Sequence, residues 1–110
     1  MLVSFELSMP NPPSWNGKWS GADRPHWLIK NVGTTQHARA KWEKLIGRHS
    51  HRFSDGWVAN VTVREVTSSA ARKMRKDSAG FAGYEWMIES LDRYGRITTE
   101  NFQAAAGSGG

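Results

Sequence analysis

Two short segments in which apolar and polar residues largely alternate constrain the fold of this chain more than any other feature. Residues 3–9 read VSFELSM, and residues 57–64 read WVANVTVR. A period of two is that of a β-strand with one buried face. The sequence therefore predicts two strands whose inner faces carry the following side chains: Val3, Phe5, Leu7, Met9, Trp57, Ala59, Val61 and Val63.

Three further segments have the apolar spacing of amphipathic helices. Residues 36–46 and 84–94 each precede a glycine, Gly47 or Gly95, of the kind that ends a helix in the left-handed conformation. Residues 70–76, AARKMRK, carry four cations and a narrow apolar stripe, so we expect this helix to be largely solvated. The inward positions are Ala38, Trp42, Leu45, Ala70, Ala71, Met74, Tyr84, Met87, Ile88 and Leu91.

The order of these elements defines the fold class. Residues 26–32, HWLIKNV, predict another strand, which gives strand, loop, strand, helix, strand, helix, helix. This order predicts an α+β fold, with a small antiparallel or mixed sheet of about three to four strands and helices packed on one face. We expect residues 1–103 to form a single compact domain and residues 104–110, AAAGSGG, to be a flexible tail.

Composition excludes several classes of function. The chain has no cysteine, which removes disulfides, thiolate catalysis and cysteine-ligated zinc. No run approaches the roughly 18 apolar residues that a spanning helix needs, so we expect no membrane association. The opening MLVSFELSMPNPP lacks the features of a secretion signal, and we therefore expect a cytoplasmic location.

Charge is unevenly distributed along the chain. The net charge is +5, which favours anionic partners, although a basic protein with solvated lysine-rich faces is the alternative. Residues 18–76 hold thirteen Lys or Arg against four acids, whereas residues 77–110 hold two against five. This distribution predicts a molecule with a basic side and an acidic end.

Two stretches, which we interpret as loops, combine cations with aromatic or polar groups. They are residues 14–21, SWNGKWSG, and residues 48–55, RHSHRFSD. Tryptophan provides a stacking surface and arginine a phosphate partner, the two ingredients of nucleotide and single-strand recognition. We predict that the stretches are adjacent and that, with the basic helix, they bind an anionic ligand through Trp15, Asn16, Lys18, Trp19, Arg48, His49, His51, Arg52, Asp55, Arg72 and Arg75.

The tryptophans have a simpler interpretation as core residues. We expect burial of Trp42, Trp57 and Trp86, which lie in predicted helices or strands. Trp15 and Trp19 lie in a glycine-rich stretch and are the better candidates for exposure.

A metal site is an alternative to the anion-binding site in residues 48–55. Imidazole and carboxylate groups from His49, His51 and Asp55 suit a divalent ion. The neighbouring cations Arg48 and Arg52 would repel it, however, and solvated loop histidines explain the pattern equally. We therefore predict no metal and no cofactor.

Acid–base catalysis was the other alternative. A histidine of the 48–55 stretch, with His26 as a second titrating group, could act on a phosphodiester. The sequence has no phosphate-binding loop, dinucleotide motif or nucleophile elbow. We predict no catalytic residues, and a small phosphodiester-cleaving or metal-dependent enzyme remains an alternative hypothesis.

Four blocks of the chain carry a resemblance to known proteins. SFELSMPN, SWNGKWSGADR, SDGWVANVTVREV and GFAGYEWMIESL, spread over residues 3–91, resemble a group of small uncharacterised accessory proteins of tailed bacteriophages and prophages. The resemblance implies expression in the host bacterial cytoplasm. It also implies an accessory role, in which such a protein binds a host-defence component or sequesters its nucleotide signal.

The leading hypothesis combines these observations. It is a non-enzymatic phage-type accessory protein that binds an anionic target: a nucleotide, a nucleic acid or an acidic host protein. A nucleic-acid-binding module is the first alternative. A homodimer is a further expectation, since a small protein with many large aromatics has apolar area to cover.

Overall fold

Alternation and amphipathicity produce seven regular elements in the computed structural model, which describes residues 1–8, 26–54, 56, 58–78, 80–81 and 83–98. The predicted α+β class is confirmed, and the sequence prediction missed one strand, β3, in the stretch interpreted as a loop. In chain order the elements are β1 (Leu2–Ser8), β2 (His26–Asn31), α1 (Gln36–Leu45), β3 (Gly47–Arg52), β4 (Val58–Glu65), α2 (Ser68–Asp77) and α3 (Glu85–Tyr94).

The four strands form one antiparallel sheet in the order β2-β1-β4-β3. The two alternating segments supply its central strands, and Phe5 of β1 lies opposite Leu28 on one side and Val63 on the other. Directly opposed residues share a face of the sheet. We call the face that carries Phe5 the core face and the other the polar face. The buried strand residues of the core face are Val3, Phe5, Leu7, Ala59, Val61 and Val63.

Helices α1 and α3 pack on the core face. Trp42 of α1 meets Phe5 edge-on, with ring centroids 5.7 Å apart. Trp86 of α3 meets Phe53 in the same manner at 6.2 Å. The predicted burial of Trp42 and Trp86 is confirmed, while Trp57 lies outside the described residues.

Helix α1 spans the width of the sheet. It connects β2 to β3, which are opposite edges about 14 Å apart at three inter-strand spacings. Ten residues of α-helix extend about 15 Å, which matches that distance. Thr35 begins the helix by accepting a hydrogen bond from the Ala38 amide.

Helix α2 packs on the polar face, beside β1 and β2. Ser4, which alternates with the core residues of β1, is 2% exposed, and Ala71 of α2 is fully buried without belonging to the apolar core cluster. At the end of β4 the Val66 amide donates to the Leu2 carbonyl. Helix α1, which connects β2 to β3, lies at this same end of the sheet but on the core face. The arrangement of helices on one face therefore describes α1 and α3, whereas α2 covers part of the other face.

Candidate anion-binding surface

The polar face carries three exposed arginines on the adjacent strands β3 and β4. Arg48 of β3 lies opposite Thr62 of β4, and Arg52 of β3 lies opposite Val58. Arg64 of β4 belongs to the same face, because it alternates with the buried Val63. All three side chains are exposed. We call this set, Arg48, Arg52 and Arg64, the arginine face.

Strand geometry fixes the spacing of these arginines. Arg48 and Arg64 are diagonal neighbours on paired strands, roughly 7–8 Å apart. Arg48 and Arg52 are four residues apart on one strand, a separation of about 13 Å. The set therefore presents several positive charges across a broad area instead of converging on one point.

The three arginines of the arginine face are not in ion pairs within the described part of the chain. Within the described ranges, none of its members lies within 4 Å of a carboxylate oxygen. On the core-face side, by contrast, Arg39 pairs with Glu65 at 3.9 Å and Lys41 pairs with Asp92. The arginine face is thus left with positive charge that no neighbouring acid neutralises.

Helix α2 adds further cations on the same side of the sheet. An open groove of about 630 Å³ follows its outer surface and is lined by Ser69, Arg72, Lys73, Arg75 and Lys76. The predicted site residues Arg72 and Arg75 therefore share a side of the molecule with Arg48 and Arg52. The described carboxylates on this side are Asp77, at the end of α2, and Glu6, which accepts a hydrogen bond from Trp27 Nε1 at 2.7 Å.

The structure does not bring His49 and His51 together with the arginines. They lie opposite Val61 and Ala59 on the core face, because alternate residues of a strand point to opposite sides. His49 Nε2 lies 2.7 Å from the Leu45 carbonyl oxygen, and the His51 ring lies 4.5 Å from that of Phe53. Both rings are half-buried packing groups at the sheet edge.

The geometry also separates the groups considered for catalysis or metal binding. His26, Leu7, Val61 and His49 form one row across the sheet, so the two histidines are about 14 Å apart at three inter-strand spacings. His26 Nδ1 instead lies 3.0 Å from the Gly80 carbonyl oxygen. Among the side chains that the structure describes, no group of three or more His, Asp or Glu residues is arranged to hold a metal.

Five predicted site residues lie outside the described residues: Trp15, Asn16, Lys18, Trp19 and Asp55. Their role as ligands, and the adjacency of the two predicted loops, stay predictions. Arg64 was absent from the predicted site, although its alternation with Val63 already placed it on the outer side of a strand.

Two further hollows lie between α1 and α3. They have volumes of about 530 and 510 Å³, and Lys41, paired with Asp92, lines both. His37 and Lys44 add polar groups to the first. Since the lysine charge is already matched there, this surface is a weaker candidate for an anion than the arginine face.

Comparison with known proteins assigns no family. No protein-family model matches the chain, and no solved structure matches it significantly. A segment is 35% identical over 57 residues to "Paraneoplastic antigen-like protein 8A" of Bos taurus. The match covers 41% of this chain and 12% of that protein, so it is local in both.

The helices of the described ranges are shorter than a membrane span. Each of the three has ten residues, too few to cross the hydrocarbon core.

Proposed function

We propose that this chain is a non-enzymatic protein that binds an anionic target through the arginine face. One observation carries the proposal: Arg48, Arg52 and Arg64 are exposed and without a carboxylate partner in the described part of the chain, on the same side as the α2 cations. Guanidinium groups form planar, forked hydrogen bonds to carboxylate or phosphate oxygens. Such groups, left unneutralised on a rigid sheet, are suited to meet a partner that supplies the negative charge.

The shape of this surface favours a macromolecular target. Small ligands are usually held in clefts that bury most of their surface. The three arginine side chains are exposed on the polar face, and the groove along α2 is lined by solvent-exposed side chains. Both features suit contact over a broad area.

The resemblance to phage and prophage proteins suggests a biological setting. In that setting we propose that the target is a host-defence protein with an acidic surface, which this chain occupies stoichiometrically in the bacterial cytoplasm. A nucleotide signal of the same defence system would be attracted by the same charges. A nucleic acid is the alternative target, because Lys and Arg neutralise phosphates regardless of base sequence.

Charge removal tests the location of the site. The triple variant Arg48→Gln, Arg52→Gln and Arg64→Gln is compared with the wild type for binding to fluorescent poly-L-glutamate by anisotropy. Three exposed ionic contacts of about 0.5 kcal/mol each predict a loss of about tenfold in affinity. The matched control, Lys30→Gln, Lys44→Gln and Arg93→Gln, removes three exposed cations that lie off the arginine face and should change affinity less than twofold.

A second measurement separates the alternatives. The same titrations use a 20-nucleotide single-stranded DNA over a range of salt concentrations. Tighter binding of DNA than of poly-L-glutamate, with a steep salt dependence that the arginine variant reduces, would favour the nucleic-acid alternative. Equal losses in the arginine variant and its control would contradict the proposed location.

A further inference from the structure

The outer edge of β3 carries backbone groups whose direction follows from the sheet register. The Val66 amide, one residue beyond β4, donates to the Leu2 carbonyl of β1 at 3.0 Å. In an antiparallel ladder, successive residues direct their N–H and C=O groups to alternate sides. Val61 and Val63, which are out of phase with Val66, therefore direct theirs toward β3.

The direction of the Val61 and Val63 backbone groups determines which residues of β3 hydrogen-bond to β4. Val63 lies opposite Gly47, and Val61 lies opposite His49. Gly47 and His49 therefore direct their backbone N–H and C=O groups toward β4 and exchange hydrogen bonds with it. Arg48, Ser50 and Arg52 are out of phase with them and direct their backbone N–H and C=O groups outward. No backbone hydrogen bond in the described part of the chain uses those outward groups.

At the opposite edge of the sheet, the outward backbone groups of Trp27 have a partner. At β2 the outward amide of Trp27 donates to Ser78 Oγ at 3.1 Å, and the Trp27 carbonyl accepts from the same hydroxyl at 3.0 Å. Helix α2 lies beside β2 on the polar face. The outward groups of β3 have no such partner in the described part of the chain, and free edges of this kind are templates for an additional strand.

Side-chain charge determines which strand can pair there. If a second copy of this chain paired antiparallel to β3 about Ser50, Arg48 of one copy would lie opposite Arg52 of the other. Like charges directly opposite each other destabilise a strand pair. The two arginines thus discourage self-pairing, whereas a strand with carboxylates at those positions would match them.

The flank of the edge has room for side chains of an added strand. A hollow of about 400 Å³ lies beside the middle of β3 and is lined by Ser50, His51, Arg96, Ile97 and Thr98. Arg96 adds an exposed cation to it. The edge therefore combines unused backbone groups, three arginines and adjacent space.

We propose that β3 accepts an extended acidic segment of the target protein as a fifth strand, with carboxylates opposite Arg48 and Arg52. This inference rests on the proposed function and assigns it a mode of recognition. Strand addition draws affinity from main-chain hydrogen bonds and specificity from alternate side chains. It selects an acidic polypeptide over a nucleic acid, which has no strand-forming amides.

A peptide with defined hydrogen-bonding capacity tests strand addition. The probe is a fluorescent seven-residue peptide with glutamate at its second and sixth positions, serine at its fourth, and threonine or valine elsewhere. Centred on Ser50, it places its glutamates opposite the two arginines of β3. Its matched control carries N-methyl groups on the amides of the second, fourth and sixth positions, which keep the charge and remove the pairing donors.

Strand addition predicts that N-methylation weakens binding at least tenfold, since three hydrogen bonds of about 0.5–1.5 kcal/mol are lost. Equal affinity of the two peptides would overturn strand addition, and retained poly-L-glutamate binding would leave the proposed function standing. Failure of both acidic probes to bind the wild-type chain would reject both proposals. Tighter binding of the single-stranded DNA than of the unmethylated peptide would overturn the choice of a polypeptide.

A variant of the chain gives an independent readout. A strand edge accepts proline where the N–H points outward. Ser50→Pro removes such an N–H, and it also removes the hydroxyl that donates to the buried Asn60 Oδ1, which the control variant Ser50→Ala loses as well. Ser50→Pro should weaken the unmethylated peptide about tenfold and leave the N-methylated peptide unchanged, with thermal unfolding measured to verify folding. Unchanged binding of both peptides by a folded Ser50→Pro variant would contradict the assignment to this edge.

Discussion

At one edge of the sheet, the hydroxyl group of Ser78 forms the backbone hydrogen bonds that a neighbouring strand would otherwise form with Trp27. It accepts from the Trp27 amide, donates to the Trp27 carbonyl, and accepts from the Gly80 amide at 2.9 Å. Three backbone groups thereby have a partner at the point where the chain passes from the polar face toward α3. A single small side chain therefore secures both the edge of β2 and the end of α2.

We expect Ser78→Ala to lower the free energy of unfolding by about 1–3 kcal/mol, because part-buried backbone groups would lose their partner. Urea denaturation followed by tryptophan fluorescence measures the change. Ser68→Ala, at an exposed position at the start of α2, is the matched control and should change stability by less than about 0.5 kcal/mol. Equal stability of the two variants would show that solvent replaces the hydroxyl at no cost.

At this scale the sequence predicted burial well and partners poorly. The inward positions Phe5, Val61 and Met87 follow from periodicity, since each strand or helix has one apolar side. The role of Ser78 depends on Trp27, which is 51 residues earlier, and no local pattern encodes that approach. The same limit applies to the hydrogen bond between His49 and the Leu45 carbonyl, and the ligand role of His49 stays a prediction.

Of the three described helices, α2 has the fewest buried residues. Of its ten residues only Ala71 is buried, and its start depends on Thr67, whose hydroxyl accepts from the Ala70 amide at 3.2 Å. A helix of this length is marginal by itself in water. Its stability therefore relies on the cap and on docking against the polar face.

Thr67→Ala should destabilise α2 by about 1 kcal/mol through loss of the N-cap. Amide hydrogen exchange measured residue by residue should accelerate in α2 and remain unchanged in β1 and β4. Thr34→Ala, an exposed position that caps no helix, is the control and should leave exchange in every element unaltered. Faster exchange throughout the sheet would indicate that α2 unfolds only with the whole chain.

Strand β3 is the element that periodicity could not reveal. Its sequence, GRHSHR, alternates cations or serine with histidine, a pattern without the apolar residues that identify a half-buried strand. The structure makes it a strand because the adjacent edge of β4 supplies hydrogen-bonding groups. The sequence therefore predicts a loop over residues 48–52. Because these residues form a strand, the arginines of the predicted site lie on the polar face and its histidines on the core face.

The whole molecule is organised about one apolar layer beneath two helices. Phe5 is fully buried at its centre, where it lies opposite Val63 and against Trp42. The basic side predicted from charge distribution corresponds to the polar face and α2, and the acidic residues Glu85 and Glu89 lie exposed on α3. Fold class and charge asymmetry were thus accessible from sequence, but the face that each charge occupies required the strand register.

Phe5→Ala should reduce the free energy of unfolding by about 3–5 kcal/mol, through lost transfer energy and the cavity left behind. Calorimetry or urea titration monitors one cooperative transition. Ile46→Ala is the control, because Ile46 is an apolar residue with 42% of its surface exposed, and its loss should cost less than about 0.5 kcal/mol. Similar costs for the two variants would contradict the central position of Phe5.

Arginine or serine alternates with histidine along β3, and this alternation limits the insertions and deletions that the strand can accept. Inserting or deleting one residue next to Gly47 would shift the strand by one position and exchange its two faces. Arginines would then point into the apolar layer and histidines toward solvent, at a large desolvation cost for the buried charges. Related chains that keep this binding surface should therefore differ in β3 by substitution or by pairs of residues, and single-residue length changes should be confined to the connections on either side.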